Sequence, residues 1–185
     1  MKFGGTSVAD VDRIRAVRDI ISDEIRNGWN VVAVVSAMSK ETNKLIDLAK
    51  QVGVENLVDP EYDSLISTGE DVSSSLLAIA LNSIEISSRS WRGWQLPIRT
   101  DSFHSNAKIE EIKTNQIINS FKEGVKVAVV SGFQGIAQEG RITTLGRGGS
   151  DTSAVAIAAA IDAERCDIYT DVSGIYTTDP RIKRN

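Results

Sequence analysis

Two short apolar runs constrain the fold of this chain more than any other feature. Residues 31–35 read VVAVV, and residues 125–130 read VKVAVV. A strand without polar alternation is typical of a parallel sheet that is covered on both faces. Before the first run, apolar residues recur at helical spacing, at Val11, Ile14, Ile21 and Ile25. The sequence therefore predicts an α/β fold with a mainly parallel central sheet sandwiched by helices.

The remaining segments continue this alternation of strand and helix. Further strands are predicted at 2–3, 85–89, 94–100 and 166–170. Helices are predicted at 41–52, 62–82, 109–123 and 151–163. Gly140, between 133–136 and 141–144, favours a hairpin. We find no internal repeat or linker, so residues 1–185 are expected to form one domain.

Composition narrows the partners and the cellular compartment. The net charge of -4 and the lack of a basic run argue against a nucleic-acid or anionic-membrane partner. No stretch reaches the roughly 18 apolar residues of a membrane span. The N-terminal residues also lack the apolar core of a secretory signal. We therefore expect a cytoplasmic protein.

The single cysteine and the single histidine limit the available chemistry. Cys166 cannot form an intrachain disulfide and, in an apolar run, is expected to be a buried strand residue. His104 lies in a polar loop and is expected to be solvated. The motifs of P-loop NTPases, dinucleotide-binding folds, α/β-hydrolases and zinc proteases are absent.

Residues 144–154, TLGRGGSDTSA, indicate an anion site. Gly148 and Gly149 let the backbone approach a ligand, and Ser150 or Asp151 is expected to cap the following helix. A helix N-terminus attracts anions through its unpaired N–H groups and its dipole. Small or polar loops also follow three predicted strands, at 4–7, 36–43 and 131–135. Ligands of open α/β sheets bind at such strand ends, which favours a phosphate-handling enzyme.

Six ordered blocks together resemble the aspartate kinases of the amino acid kinase family. They are KFGGTSV at 2–8, SAMSKETN at 36–43, STGED at 67–71, GFQG at 132–135, TTLGRGGSDTSA at 143–154 and TDVSGIYTTDPR at 170–181. The resemblance implies the amino acid kinase fold and transfer of a phosphoryl group from ATP to L-aspartate, giving 4-phospho-L-aspartate. This step opens the biosynthesis of lysine, threonine and methionine.

The resemblance also implies a role for each matching residue. The catalytic residues would be Lys2 and Asp151. Aspartate would be bound by Ser36, Thr42, Glu70, Arg147 and Ser150. ATP would be bound by Lys2, Gly4, Gly5, Thr6, Ser7, Thr170, Asp171, Tyr176 and Arg181, with the Gly4 and Gly5 amides lining the anion pocket. Mg²⁺ would arrive with ATP, and no protein ligand is assigned to it.

Local sequence alone leaves simpler roles open for several of these residues. Asp151, Ser36 and Thr42 could be helix caps only. Glu70 could belong to an exposed helical face, and Tyr176 could serve packing alone.

The chain departs from the family pattern at both ends. Only Met1 precedes Lys2, so Lys2 is expected on a frayed terminus. After Asn185, family members continue with the rest of the catalytic domain, including a second phosphate-binding lysine, and with ACT regulatory domains. We therefore expect an incomplete domain, with a homodimer or a completing partner chain left open.

Two other functions also stay open. One is a different kinase of this fold, acting on glutamate, N-acetylglutamate, carbamate or UMP. The other is a non-catalytic remnant that binds nucleotide.

Overall fold

The structure is a computed structural model that describes residues 1–53 and 58–171. Its helices are α1 Val11–Arg26, α2 Glu41–Val52, α3 Pro60–Ile66, α4 Thr68–Asn82, α5 Asn115–Lys122 and α6 Gly149–Ala160. Its strands are β1 Lys2–Phe3, β2 Val31–Val35, β3 Ser88–Trp91, β4 Ile98–Thr100, β5 Ile109–Ile112, β6 Val127–Ser131, β7 Gln134–Ile136, β8 Ile142–Thr144 and β9 Ile168–Tyr169.

A five-stranded sheet forms the centre, in the order β3-β6-β2-β1-β9. All of its neighbouring strands are parallel. The two apolar runs of the sequence become β2 and β6, which pair with each other from Val31↔Val127 to Val35↔Ser131. The prediction of a mainly parallel α/β fold is confirmed.

Helices cover both faces of this sheet. On one face, α1 and α4 pack against β2, as shown by a buried cluster that includes Ile21, Ala33, Val35, Leu77 and Leu81. On the other face, α5 and α6 pack against β2 and β6 through a cluster that includes Val34, Ile117, Val130, Ala154 and Ile157. Alternate residues of β2 thus enter opposite cores, which explains why its sequence has no polar positions.

A second sheet has the strand order β5-β4-β7-β8, and its last strand in the chain, β8, precedes α6. The predicted hairpin is present in it, because β7 and β8 are antiparallel from Gln134↔Thr144 to Ile136↔Ile142. The segment 145–148 then connects β8 directly to α6.

Three predicted helices differ from the structure, and the one predicted at 151–163 is α6, which begins and ends earlier, at Gly149–Ala160. Residues 109–112 form β5, not the start of a helix, because they pair with β4 from Ile98↔Ile112. The predicted helix 62–82 is divided into α3 and α4 at Ser67. There the Ser67 and Thr68 hydroxyls donate to the carbonyls of Ser64 and Leu65, so side chains satisfy the last carbonyls of α3.

Several predicted strands are displaced or shortened, including 125–130, which lies at Val127–Ser131 as β6. The strand predicted at 85–89 lies at 88–91, where β3 pairs with β6. Of residues 94–100 only 98–100 are a strand, and of 166–170 only 168–169. Cys166 precedes this last strand and is exposed, so the expectation that it is buried is wrong.

Two further expectations about single residues are also wrong. His104 is buried, with 7% of its surface exposed, and its Nδ1 lies 2.9 Å from Oδ2 of Asp63. Lys2 is not frayed, because β1 lies between β2 and β9 with Lys2 opposite Val34 and Ile168. Among the residues that the structure describes, none of the helices has the length and apolar character needed to cross a bilayer.

Candidate active site

The loops at the carboxyl ends of β1 and β2 meet the start of α6 around one cavity of about 800 Å³. Of the site residues predicted from sequence, those lining it are Lys2, Gly4, Gly5, Thr6, Ser36, Thr42, Glu70, Arg147, Ser150, Asp151, Thr170 and Asp171. Ser7 does not line it. Tyr176 and Arg181 lie outside the described residues. The structure therefore brings together residues that are far apart in sequence.

Three helices begin at this cavity. Thr42, Glu70 and Ser150 lie in the first turns of α2, α4 and α6, and all three line the cavity. Each helix start adds the positive end of a dipole and unpaired N–H groups. The cavity is thus suited to an anionic ligand.

Lys2 and Asp151 form an ion pair in the cavity wall, with Nζ of Lys2 2.7 Å from Oδ1 of Asp151. The lysine side chain is only 9% exposed, whereas the aspartate side chain is 48% exposed. A lysine this deeply buried requires a counter-charge, because removing an unpaired ammonium from water is costly. The pair joins β1 to α6 and holds the ammonium group at the cavity.

Neither Ser150 nor Asp151 caps α6, so that expectation is wrong. The N-cap is Gly148, whose φ of 73° lies in the left-handed region, and no side chain accepts a capping hydrogen bond there. Asp151 lies in the first turn, where its carboxylate pairs with Lys2 instead. Gly148 is needed because this backbone conformation is costly for other residues.

A second glycine allows β6 to approach α6 closely. A Cβ atom at Gly132 would lie 2.9 Å from both Cβ and Oγ of Ser150 and 3.0 Å from Cγ1 of Val34. The absence of a side chain therefore sets how near Ser150 comes to the end of the sheet.

Glu70 is buried, with 3% of its surface exposed, so the alternative of an exposed helical face is wrong. Its Oε1 accepts a hydrogen bond from the Ala37 backbone N–H at 3.0 Å. Its Oε2 is buried and has no hydrogen-bond partner among the described residues. Burial raises the pKa of this carboxyl to about 8, against the opposing effect of the Ala37 hydrogen bond.

Ser36 and Thr42 are not helix caps, contrary to the simpler alternative. The N-cap of α2 is Lys40, which has a left-handed backbone conformation. Ser36 directly follows β2, and its carbonyl accepts a hydrogen bond from Oγ of Ser73 at 2.7 Å. This contact and the Glu70 hydrogen bond fasten the start of α4 to the end of β2.

The outer part of the cavity is formed by more exposed groups. Arg147 is exposed and forms no ion pair with the residues that the structure describes. The Gly4 amide donates to the Tyr169 carbonyl at 3.2 Å. This amide is thus already hydrogen-bonded to the neighbouring strand end, while Gly4 itself lines the cavity, and its predicted role in binding an anion stays a prediction.

Sequence reasoning missed the buried polar group behind the cavity. Asp63 and His104 form a buried hydrogen-bonded pair, and the Asp63 carboxylate also accepts hydrogen bonds from Ser105 and Thr144. Ser105 and Thr144 line the cavity directly. Asp63 precedes His104 by 41 positions, so no local motif could show that they meet.

Neither a metal-binding cluster among the described residues nor a cavity elsewhere on the molecule contributes to this site. Within 1–53 and 58–171, no three His, Cys, Asp or Glu side chains are placed to hold a metal ion. A separate cavity of about 370 Å³, between α6 and the end of α1, includes Trp29, Phe121 and Ile161 but none of the predicted site residues.

The amino acid kinase family model matches residues 1–185, and the chain belongs to that family. Within the family, this chain is similar to an aspartokinase of a Bacillus species (strain MGA3). The two are 54% identical over 184 residues, which cover 100% of this chain and 44% of that relative.

Two solved structures agree in fold. An aspartate kinase from Synechocystis is 48% identical with a TM-score of 0.79, over 98% of this chain and 29% of that one. Aspartokinase III of E. coli, in complex with aspartate and ADP, is 29% identical with a TM-score of 0.81. That match covers 98% of this chain and 51% of that one. The chain spans less than half the length of the Bacillus relative.

Proposed function

We propose that this chain carries the catalytic site of an ATP-dependent kinase that phosphorylates the side-chain carboxylate of L-aspartate. The observation that carries the proposal is the ion pair of the buried Lys2 with Asp151, in the cavity that Glu70 and Arg147 also line. The family, the 54% identical aspartokinase, and the aspartate and ADP complex of the E. coli relative all support it.

The proposed reaction needs no strong base. The attacking side-chain carboxylate of aspartate is already ionised at neutral pH. Phosphoryl transfer then depends on positioning and on charge stabilisation. Lys2 would stabilise the transferring group, and Asp151 would hold its ammonium in place through their 2.7 Å ion pair.

The opposite charges of aspartate match the two ends of the proposed binding site. Arg147 has no ion-pair partner within the described residues and would bind the α-carboxylate through its planar guanidinium. Oε2 of Glu70, which has no hydrogen-bond partner in the described part of the chain, would accept a hydrogen bond from the ammonium group. Hydroxyls of Ser36, Thr42 and Ser150 would complete the site.

ATP would occupy the part of the cavity nearest the end of the sheet. Gly4, Gly5 and Thr6 follow β1 there, and Thr170 and Asp171 follow β9. Ser7, Tyr176 and Arg181 remain proposed ATP-binding residues from the family resemblance. Mg²⁺ would be bound chiefly by the phosphates, since it retains few protein ligands in such sites.

The wider setting is part of the same proposal. Residues 1–185 would form an amino acid kinase domain that works in the cytoplasm, where its phosphoryl donor ATP is kept. A homodimer or a completing chain is the proposed assembly.

The test is ADP release by the purified chain with Mg-ATP and a panel of acceptors. We expect release that depends on L-aspartate and not on glutamate, N-acetylglutamate or carbamate. Preference for another acceptor would support a different kinase of this fold. Nucleotide binding without release by folded protein would support a non-catalytic remnant, and both results contradict the proposal.

A further inference from the structure

We propose that Asp63 is a positioning residue for Arg147. We call residues 145–148, which include Arg147, the arginine segment. Asp63 binds Thr144, which directly precedes this segment, and it also binds the His104–Ser105 loop that lies against the segment. The inference rests on the proposed function, in which Arg147 binds the α-carboxylate of the substrate.

Asp63 is fully buried on α3, with 0% of its surface exposed. Its Oδ2 accepts a hydrogen bond from the Thr144 backbone N–H at 2.9 Å, and its Oδ1 accepts one from the Thr144 hydroxyl at 2.7 Å. Thr144 is the last residue of β8, three positions before Arg147. One carboxylate thus fixes both the backbone and the side chain where the arginine segment begins.

The same carboxylate fixes a neighbouring loop. The Ser105 N–H donates to Oδ2 of Asp63 at 3.0 Å, and Nδ1 of His104 lies 2.9 Å from that oxygen. A carboxylate offers only acceptors, so Nδ1 carries the hydrogen of the imidazole in this arrangement. The loop is held against the arginine segment as well, because the Ala107 N–H donates to the Thr144 carbonyl at 2.9 Å.

This loop contacts the arginine segment next to Arg147 itself. A Cβ atom at Gly146 would lie 2.8 Å from Oδ1 of Asn106 and 3.2 Å from the Ser105 carbonyl. Gly146 and Gly148, on either side of the arginine, have φ values of 74° and 73°. Glycines restrict the backbone least, so the position of Arg147 depends on what holds the ends of its segment.

The two ends of the segment are anchored differently. Past Arg147, the chain enters α6, a regular helix that is packed on the central sheet. Before Arg147, the anchors within the described residues include the buried carboxylate of Asp63. Its replacement is therefore expected to loosen the arginine segment while leaving the Lys2–Asp151 pair in place.

The first test is the rate of trypsin cleavage after Arg147, followed by mass spectrometry. Asp63→Asn keeps the shape of the side chain but replaces one hydrogen-bond acceptor with a donor. We expect it to raise the cleavage rate about tenfold, which is the scale of a lost buried hydrogen bond to a charged group. His104→Gln is expected to raise it less and serves if Asp63→Asn does not fold. Thr100→Val is the matched control, because it breaks the 2.6 Å hydroxyl pair with Thr143 on the same sheet.

Kinetics provide the second test. Asp63→Asn is expected to raise the KM for aspartate about tenfold with the KM for ATP unchanged, and to add nothing in an Arg147→Ala background. Wild-type cleavage rates in both the Asp63 and His104 variants, or fully additive effects with Arg147→Ala, would overturn the inference. Lack of any aspartate-dependent turnover in wild type would instead overturn the proposed function, and the cleavage rates would still test the positioning.

Discussion

At the scale of single residues, burial decides which groups this site offers. Lys2 and Glu70 are both buried, and Arg147 is exposed. The sequence placed these three residue types in suitable motifs but did not show their surroundings. The buried lysine gains an ion-pair partner from α6, whereas one oxygen of the buried glutamate lacks a partner among the described residues.

Lys2→Ala is expected to lower kcat by at least about a hundredfold, because a preorganised cation at a developing charge contributes at this scale. The measurement is initial-rate ADP release at saturating substrates. Lys122→Ala, at the exposed end of α5, is the matched control and is expected to match wild type. A small loss in Lys2→Ala would remove this residue from the proposed mechanism.

Arg147→Ala is expected to raise the KM for aspartate by about ten- to hundredfold, as for a lost charged hydrogen bond. The KM for ATP should change little. Arg13→Ala, on the exposed surface of α1, is the control with the same loss of charge. An equal effect on both substrates would show that Arg147 does not recognise aspartate.

Glu70 is expected to make aspartate binding depend on pH. Since its pKa is raised to about 8, the carboxyl is protonated in the free protein at pH 7 and must lose its proton to bind an ammonium group. The KM for aspartate should therefore fall as pH rises toward about 8, by at most about tenfold per pH unit. In Glu70→Gln this dependence should vanish, and its persistence would contradict the assignment.

The raised pKa of Glu70 also has a consequence for stability. Between the ordinary value of 4.5 and about 8, the folded protein keeps a proton that the unfolded chain has released. The free energy of unfolding therefore falls with rising pH in this window, by up to about 1.4 kcal/mol per pH unit from this group. Urea unfolding of wild type and Glu70→Gln, at pH values near the two ends of the window, measures this change in the free energy of unfolding. An identical dependence on pH in the two proteins would contradict the raised pKa.

At the scale of elements, the sequence predicts a strand well when the strand's own residues are apolar enough to indicate that it is buried. Residues 31–35 are apolar at every position, and they form β2 with the predicted bounds. Residues 109–112 depend instead on pairing with the preceding strand β4, which the spacing of apolar residues within 109–123 does not show. The Asp63–His104 pair was missed because its two residues lie 41 positions apart in the sequence.

The approach of β6 to α6 depends on Gly132. Gly132→Ala is expected to lower the free energy of unfolding by about 1–3 kcal/mol, because the added methyl group would overlap Ser150 and Val34. Gly4→Ala is the control, since its Cβ would meet the nearest atom at an ordinary 3.5 Å. Urea unfolding of both variants measures the difference, and equal stabilities would contradict the close packing.

At the scale of the whole molecule, one parallel sheet gathers the site. Parallel strands β1 and β2 end at the same edge, so their loops meet the starts of α2, α4 and α6 around one cavity. Because of this arrangement, Lys2 and Asp151 meet at the cavity although they lie far apart in the sequence. Roles for Tyr176 and Arg181 remain predictions, since both lie outside the described residues.

The central claim is that this cavity transfers a phosphoryl group to aspartate, and trapping of the product tests it most directly. The purified chain is incubated with Mg-ATP, L-aspartate and hydroxylamine, which converts an acyl phosphate into a stable hydroxamate. We predict an aspartyl hydroxamate that forms in wild type and in Lys122→Ala but not in Lys2→Ala. Folded wild-type protein that binds nucleotide but yields no hydroxamate would contradict the claim.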